Sequence, residues 1–345
     1  MNEQNSFEKI CSNNKPAILA NHDFISMEVI NLDTMHIVLA TDENYAQHAG
    51  VTIVSLLNNK KSSTPVIIYI IDDNISSSSR CHLQKIAENY NTSIFFLKVN
   101  SDILNQLPVL NHLSRTACYR LAIPYILPPT VHKALYLDTD MIIRNDISEL
   151  WDIDISPYHA AAVIDLGIDE MDKKVMLRST LQLPDKEPYF NSGLLLINMI
   201  KWKENNISEK AISFISKNSE KLYFLDQDGL NSILWGKWLL LHPKWNVYRI
   251  LVRKYYTWKE RSALESKFIE AVRKPSIVHF TGALKPWHYG CYLPHVEEYY
   301  HYLAMTPWKN YQIPKANLHG FLKKYRWLLR RYLMDSLYKA LDHLR

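Results

Sequence analysis

The chain has 345 residues, 47% of them hydrophobic and 22% charged, with a formal net charge of +5. That composition fits a globular protein with a large core, either one big domain or one domain with an appendage, and excludes a disordered chain. Eight glycines argue against glycine-rich phosphate loops, and no stretch approaches the roughly 20 continuous apolar residues of a membrane span.

Residues 1–33 show no clear period and read as an extension. Met1 to Lys15 is polar, without an apolar signal core, which implies a cytoplasmic protein. Cys11, Cys81, Cys118 and Cys291 are scattered and read as reduced thiols. His36–Thr41 predicts a first strand and Tyr45–Leu57 a helix. Strand Val66–Ile71, helix Ser77–Tyr90 and strand Ile94–Val99 follow. Arg115–Ile126 reads as helical. Ala134–Leu137 reads as a buried strand running into Asp138-Thr139-Asp140. Strands at Ala160–Ile164 and Gly193–Ile197 bracket the middle of the chain, followed by a helix over Lys201–Lys217. Asp226-Gln227-Asp228 opens a helical run, Gly229–Trp235. Leu239–Leu241 and Ile277–Phe280 are short strands. Strands alternating with helices imply a doubly wound, mainly parallel sheet, whose ligands gather at the carboxyl ends of the strands.

Several polar residues stand at such ends. Asp138 and Asp140, at i and i+2 of an extended chain, project to one side. A cation between them relieves their repulsion, and oxygen ligands suit Mg²⁺ or Mn²⁺. Asp42 and Asn44 follow the first strand, where they either read a base or ribose or cap the next helix. Asn191, in Phe190-Asn191-Ser192-Gly193, projects from a turn or shapes it. One acid of Asp226-Gln227-Asp228 suits a helix cap, and the triplet equally suits a polar substrate. His279, Gly282 and Lys285 recur at three-residue intervals. Gly282 permits close backbone approach and Lys285 offers an ammonium to a phosphate, so the segment reads as an ion-plus-phosphate clasp.

Together, Ala40-x-Asp42-x-Asn44, Arg120, Asp138-x-Asp140, Asp165, Asn191-x-Gly193, Asp226-Gln227-Asp228 and His279-x-x-Gly282-x-x-Lys285-Pro286-Trp287 resemble family 8 glycosyltransferases. These are retaining enzymes of GT-A fold, among them bacterial galactosyl- and glucosyltransferases of lipopolysaccharide synthesis. The resemblance spans His36 to Trp287. It implies a Rossmann-like mixed, mainly parallel sheet with flanking helices, and a hexosyltransferase using UDP-glucose or UDP-galactose with Mn²⁺ or Mg²⁺. By the same resemblance Asp138, Asp140 and His279 hold the metal, with Thr139 between the two acids. Ala40, Asp42 and Asn44 meet the uridine, and Gly282 and Lys285 the diphosphate. Arg120, Asp165, Asn191 and Asp226 surround the transferred sugar. Gln227 lies on its β face, with Asp228 beside it. The acceptor implied is a growing glycan or glycolipid.

After about Pro307 the pattern changes. Phe321–Arg345 carries seven Lys and Arg against two Asp, an excess equal to the whole net charge of +5. Tyr325, Leu328, Leu329, Tyr332, Leu333 and Leu337 recur at helical spacing. This predicts a basic amphipathic helix for an anionic membrane surface, in preference to a helix docked on its own core. The expected organisation is therefore an extension over 1–33, a catalytic domain over 34–306 and a membrane-associating tail over 307–345. The balanced body does not indicate nucleic-acid binding. The alternatives are a haloacid dehalogenase-type phosphatase and a non-catalytic protein that binds a nucleotide sugar. The phosphatase reading expects Thr or Val where Ile142 stands, and leaves the His279–Lys285 clasp without a role.

Overall fold

The structure, a computed structural model, describes residues 34–99, 118–171, 174–255, 262–289, 291, 293–311, 325 and 329. The extension 1–33 and most of the basic tail lie outside the described residues. The first half of the fold comprises β1 (Met35–Asp42), α1 (Ala46–Asn59), β2 (Val66–Asp73), α2 (Ser77–Asn89), β3 (Ser93–Leu97), β4 (Lys133–Leu137) and β5 (Met141–Ile143). The second comprises β6 (Ala160–Ile164), β7 (Phe190–Asn198), α3 (Ile207–Asn218), α4 (Leu225–Leu234), β8 (Trp238–Leu240), β9 (Val247–Tyr248), α5 (Ala263–Arg273), β10 (Ile277–His279) and α6 (Val296–Leu303).

Seven strands form one sheet in the order β3-β2-β1-β4-β7-β6-β8. β7 runs antiparallel to both neighbours, and the other pairings are parallel. This is the mixed, mainly parallel α/β sheet that the sequence implies. The strands are near-continuous apolar runs because helices cover both faces. Successive side chains alternate between two cores. Ile37 and Leu39 of β1, with Leu135 and Leu137 of β4, pack on the face covered by α1. Val38, Ala134 and Tyr136 pack on the other, against residues of α3 and α4. Each fully buried Leu or Ile contributes about 1.5–3 kcal/mol.

The parallel strands β1, β4 and β6 end together, so Asp42, Asp138 and Asp165 emerge on one rim. Antiparallel β7 starts on that rim, which brings Asn191, Ser192 and Gly193 there as well: Asp138 N–H donates to the Gly193 carbonyl at 2.8 Å. A second sheet, in the order β5-β10-β9, completes the rim. Its antiparallel register pairs His279 with Met141, and Phe280 N–H donates to the Asp140 carbonyl at 2.9 Å. That pairing carries His279 across the chain to the acidic triplet.

The structure differs locally from the sequence expectation. Asn191 and Ser192 lie inside β7, whose first residues pair with β6, so the Asn-Ser-Gly composition marks a strand and not a turn. The helix expected over Lys201–Lys217 is two helices, Met199–Glu204 and α3, separated at Asn206, which is left-handed at φ 50°. Asparagine adopts that conformation more readily than most residues. Asp226-Gln227-Asp228 falls in the first turn of α4 and does not precede it. Cys118 is a buried free thiol, whereas Cys81 is disulfide-bonded, so the reading of four reduced thiols is corrected there.

Candidate active site

One oxygen each of Asp138 and Asp140 and a ring nitrogen of His279 lie within 4.8 Å of one another. His279 Nε2 is 3.1 Å from Asp140 Oδ1 and 3.7 Å from Asp138 Oδ2. A side chain of α1 fixes the backbone of the loop between the acids. The Thr52 hydroxyl of α1 donates to the carbonyls of Thr139 (3.0 Å) and Met141 (2.9 Å). Thr139 itself is buried. Gly193 explains how the cluster fits. A Cβ at that position would stand 2.4 Å from His279 Cε1 and 2.6 Å from Asp138 Oδ2, so a glycine keeps the space beside the donors open. Two carboxylates and an imidazole are a reasonable donor set for a divalent cation.

Arg120 organises the acids from below and is only 3% exposed. Its Nη2 meets Asp138 Oδ1 at 2.9 Å and its Nε meets Asp226 Oδ2 at 3.0 Å. Nη1 donates to Ser192, and the guanidinium lies 4.5 Å over the Tyr136 ring. The Tyr136 hydroxyl donates to Asp138 Oδ1 at 2.8 Å. Burial opposes the charge on Arg120, but Asp138 and Asp226 raise its pKa above the usual value. Burial pushes the Asp226 carboxyl up to about 6, against the lowering effect of Arg120. For Asp140 burial also acts upward, yet Lys285 and His279 hold it below the usual carboxylate range. Lys285 donates to Asp140 Oδ2 and to the Phe280 carbonyl. Burial would lower its pKa, but the Asp140 charge raises it. Asp138, Asp140, Asp165 and Asp226 thus stand against Arg120 and Lys285, an excess of negative charge that a divalent cation would offset.

A second group adjoins this cluster. Asp165 Oδ2 accepts from Asn191 Nδ2 and from Gln227 Nε2, each at 3.1 Å. Ser192 N–H donates to Gln227 Oε1 at 2.9 Å, and the Ser192 hydroxyl to Asp226 Oδ2 at 3.2 Å. Arg120, Asp165, Asn191, Asp226 and Gln227 therefore form one hydrogen-bonded set.

Asp228 points elsewhere. It is fully buried, accepting from the Tyr189 hydroxyl at 2.6 Å and from Tyr223 and Phe224 N–H at 2.7 Å each. It therefore secures the start of α4, and burial raises its pKa. Ala40 is buried near the end of β1. Asp42 Oδ1 accepts Tyr45 N–H at 2.9 Å, and Asn44 is exposed, 3.4 Å from Asp42 Oδ2. Asp42 thus closes the turn that leads into α1, whose N-cap, Tyr45, makes no side-chain cap hydrogen bond. Gly282 has φ +84° with nothing within 4 Å of a would-be Cβ. Its backbone conformation, not crowding, calls for glycine. Tyr136, Ser192 and Asn246 join the network without having been marked in the sequence. Ser192 stood inside a motif, but Asn246 has no local signal.

The family model described as Glycosyl transferase family 8 matches residues 36–291. General stress protein A of Bacillus subtilis (strain 168) is 35% identical over 290 residues, 83% of this chain and 98% of that protein. Lipopolysaccharide 1,2-glucosyltransferase of Escherichia coli (strain K12) is 31% identical over 318 residues, 89% of each chain. Among solved structures, the galactosyltransferase LgtC, crystallised in complex with donor and acceptor sugar analogs, is similar with a TM-score of 0.71. The identity is 25%, over 81% of this chain and 98% of that one.

Proposed function

The chain belongs to glycosyl transferase family 8, and on that basis we propose that it is a retaining, Mn²⁺-dependent hexosyltransferase. It moves glucose or galactose from a UDP-sugar to a growing glycan, such as a lipopolysaccharide core or a lipid-linked oligosaccharide. The observation that carries this reading is the convergence, within 4.8 Å, of Asp138 and Asp140 from the loop between β4 and β5 with His279 of β10, about 140 residues later in the chain. The glucosyl- and galactosyltransferase names of the relatives support the choice of hexose donors. A phosphatase of the haloacid dehalogenase type finds no support in these similarities.

Asp138, Asp140 and His279 would hold the divalent ion, which supplies positive charge against a diphosphate leaving group. Lys285 adds an ammonium to the same charge, and Gly282 lets the backbone approach it. Ala40, Asp42, Asn44 and Thr139 line the nucleoside side. Arg120, Asp165, Asn191 and Asp226 surround the hexose. Gln227, held by Ser192 N–H and Asp165, lies on its β face. Asp228 acts on the sugar only through the start of α4.

As the sugar–phosphate bond breaks, the hexose gains oxocarbenium character. The acceptor oxygen bonds from the face the phosphate leaves, and its proton passes to that departing phosphate. This route requires no separate protein base.

The tail 307–345 would hold the enzyme at the cytoplasmic face of an anionic membrane. No helix among the described residues is long and apolar enough to cross one. Tyr325 and Leu329, the two residues of 321–345 that the structure describes, are both exposed.

A panel of UDP-sugars incubated with Mn²⁺ and read by released UDP tests the reading. Release from UDP-glucose or UDP-galactose is expected. Neither binding nor hydrolysis of any UDP-sugar would overturn it.

A further inference from the structure

Asn246 is 0% exposed and joins the two halves of the site. It precedes β9, whose parallel pairing with β10 sets Tyr248 beside His279. His279 Nδ1 lies 3.0 Å from Asn246 Oδ1, and Asn246 Nδ2 donates to Asn191 Oδ1 at 2.9 Å. Two facts fix the direction of this chain. Gly193 N–H, which can only donate, meets Asn191 Oδ1 at 3.1 Å. Asp165 Oδ2, an acceptor when ionised, meets Asn191 Nδ2 at 3.1 Å. Asn191 therefore cannot be turned over without losing both contacts. Its oxygen then requires the Asn246 amide nitrogen, which leaves the Asn246 oxygen facing the imidazole. A carbonyl oxygen accepts, so Nδ1 must carry the proton. When His279 is neutral this keeps its lone pair on Nε2, the atom facing Asp138 and Asp140, where a cation among the three would receive it.

We propose that Asn246 is a positioning residue that sets the tautomer and ring orientation of His279, and ties the metal cluster to the sugar-side residues Asn191 and Asp165. The proposal rests on the metal reading given above, and deepens it. Metal-ligating histidines commonly donate their second ring nitrogen to a partner that orients them. Here that partner is a neutral amide whose own orientation is set, through Asn191, by the Gly193 N–H and the Asp165 carboxylate. Asn246→Leu removes both contacts. Asn246→Asp keeps an acceptor for His279 Nδ1 but has no donor for Asn191.

Two measurements on the full chain without donor sugar test this. Titration calorimetry with Mn²⁺ alone should show affinity lowered about 10–100-fold in N246L and within about threefold of the parent in N246D. The ¹⁵N signals of the His279 ring, assigned by their loss in His279→Gln, should report a proton on Nδ1 in the parent and N246D, and a different or mixed tautomer in N246L. In N246D the KM for the sugar donor should rise while metal affinity holds. Asn246→Ser replaces the leucine variant if the latter does not fold. Unchanged Mn²⁺ affinity together with an unchanged tautomer in N246L would overturn the proposal. If the parent shows the Nδ1 proton, lost in N246L, but binds no Mn²⁺, the relay stands and the metal reading falls.

Discussion

His36 takes no part in the proposed chemistry, yet it helps set how the fold responds to acid. It sits on β1, 5% exposed, with Nδ1 3.2 Å from the Tyr69 hydroxyl. Burial lowers its pKa to about 4. The unfolded chain takes up a proton near pH 6.5, whereas the folded chain resists until about pH 4. Stability linked to this residue is therefore complete above about pH 6.5 and is lost as pH falls toward 4, with a slope of up to about 1.4 kcal/mol per unit. Urea unfolding of His36→Gln between pH 7 and 5 should show a shallower pH dependence than the parent, whatever the variant's absolute stability. An identical slope would remove His36 as a source of acid lability. Asp228 teaches a related lesson. Its place beside Gln227 in the sequence suggested a role next to the sugar, but α4 turns it by about 100° from its neighbour, into Tyr189 and two backbone amides.

Elements explain why Gly193 is glycine. Gly193 lies on β7 where the strand faces Asp138, just past β4, and His279 of β10, and a methyl group at this point would press on both. Neither can move freely: Asn246 holds the imidazole, and Arg120 and Tyr136 hold the carboxylate. Gly193→Ala should therefore cost about 1–3 kcal/mol of stability and raise the Mn²⁺ concentration needed for half-maximal UDP release. Unchanged urea midpoint and metal dependence would contradict this packing. The larger strands were legible as apolar runs, and so was the acidic triplet at the end of β4. The pairing of β10 with β5 was not, because strands of three residues carry no periodic signal. His279 could be suspected from its Gly282 and Lys285 neighbours, but its place beside Asp140 depends on that register. Asn246 was invisible for the same reason, since its partners come from β7 and β10.

At the scale of the whole molecule, the family match over 36–291 and the α/β sheet account for the body, whereas the charge excess is confined to Phe321–Arg345. Near an anionic surface each Lys or Arg is worth about 1 kcal/mol. Deleting residues 321–345 should abolish sedimentation with phosphatidylglycerol vesicles while sparing donor hydrolysis. Undiminished vesicle binding would remove the tail from the membrane reading. Release of UDP by the body would depend on the cation gripped by Asp138, Asp140 and His279. The most direct test is Mn²⁺-dependent UDP release from UDP-glucose and UDP-galactose by Asp140→Asn, which keeps the side chain's shape and removes its charge. A loss of at least about a hundredfold with the fold retained is expected; activity equal to the parent in a folded variant would remove Asp140 from the cation grip.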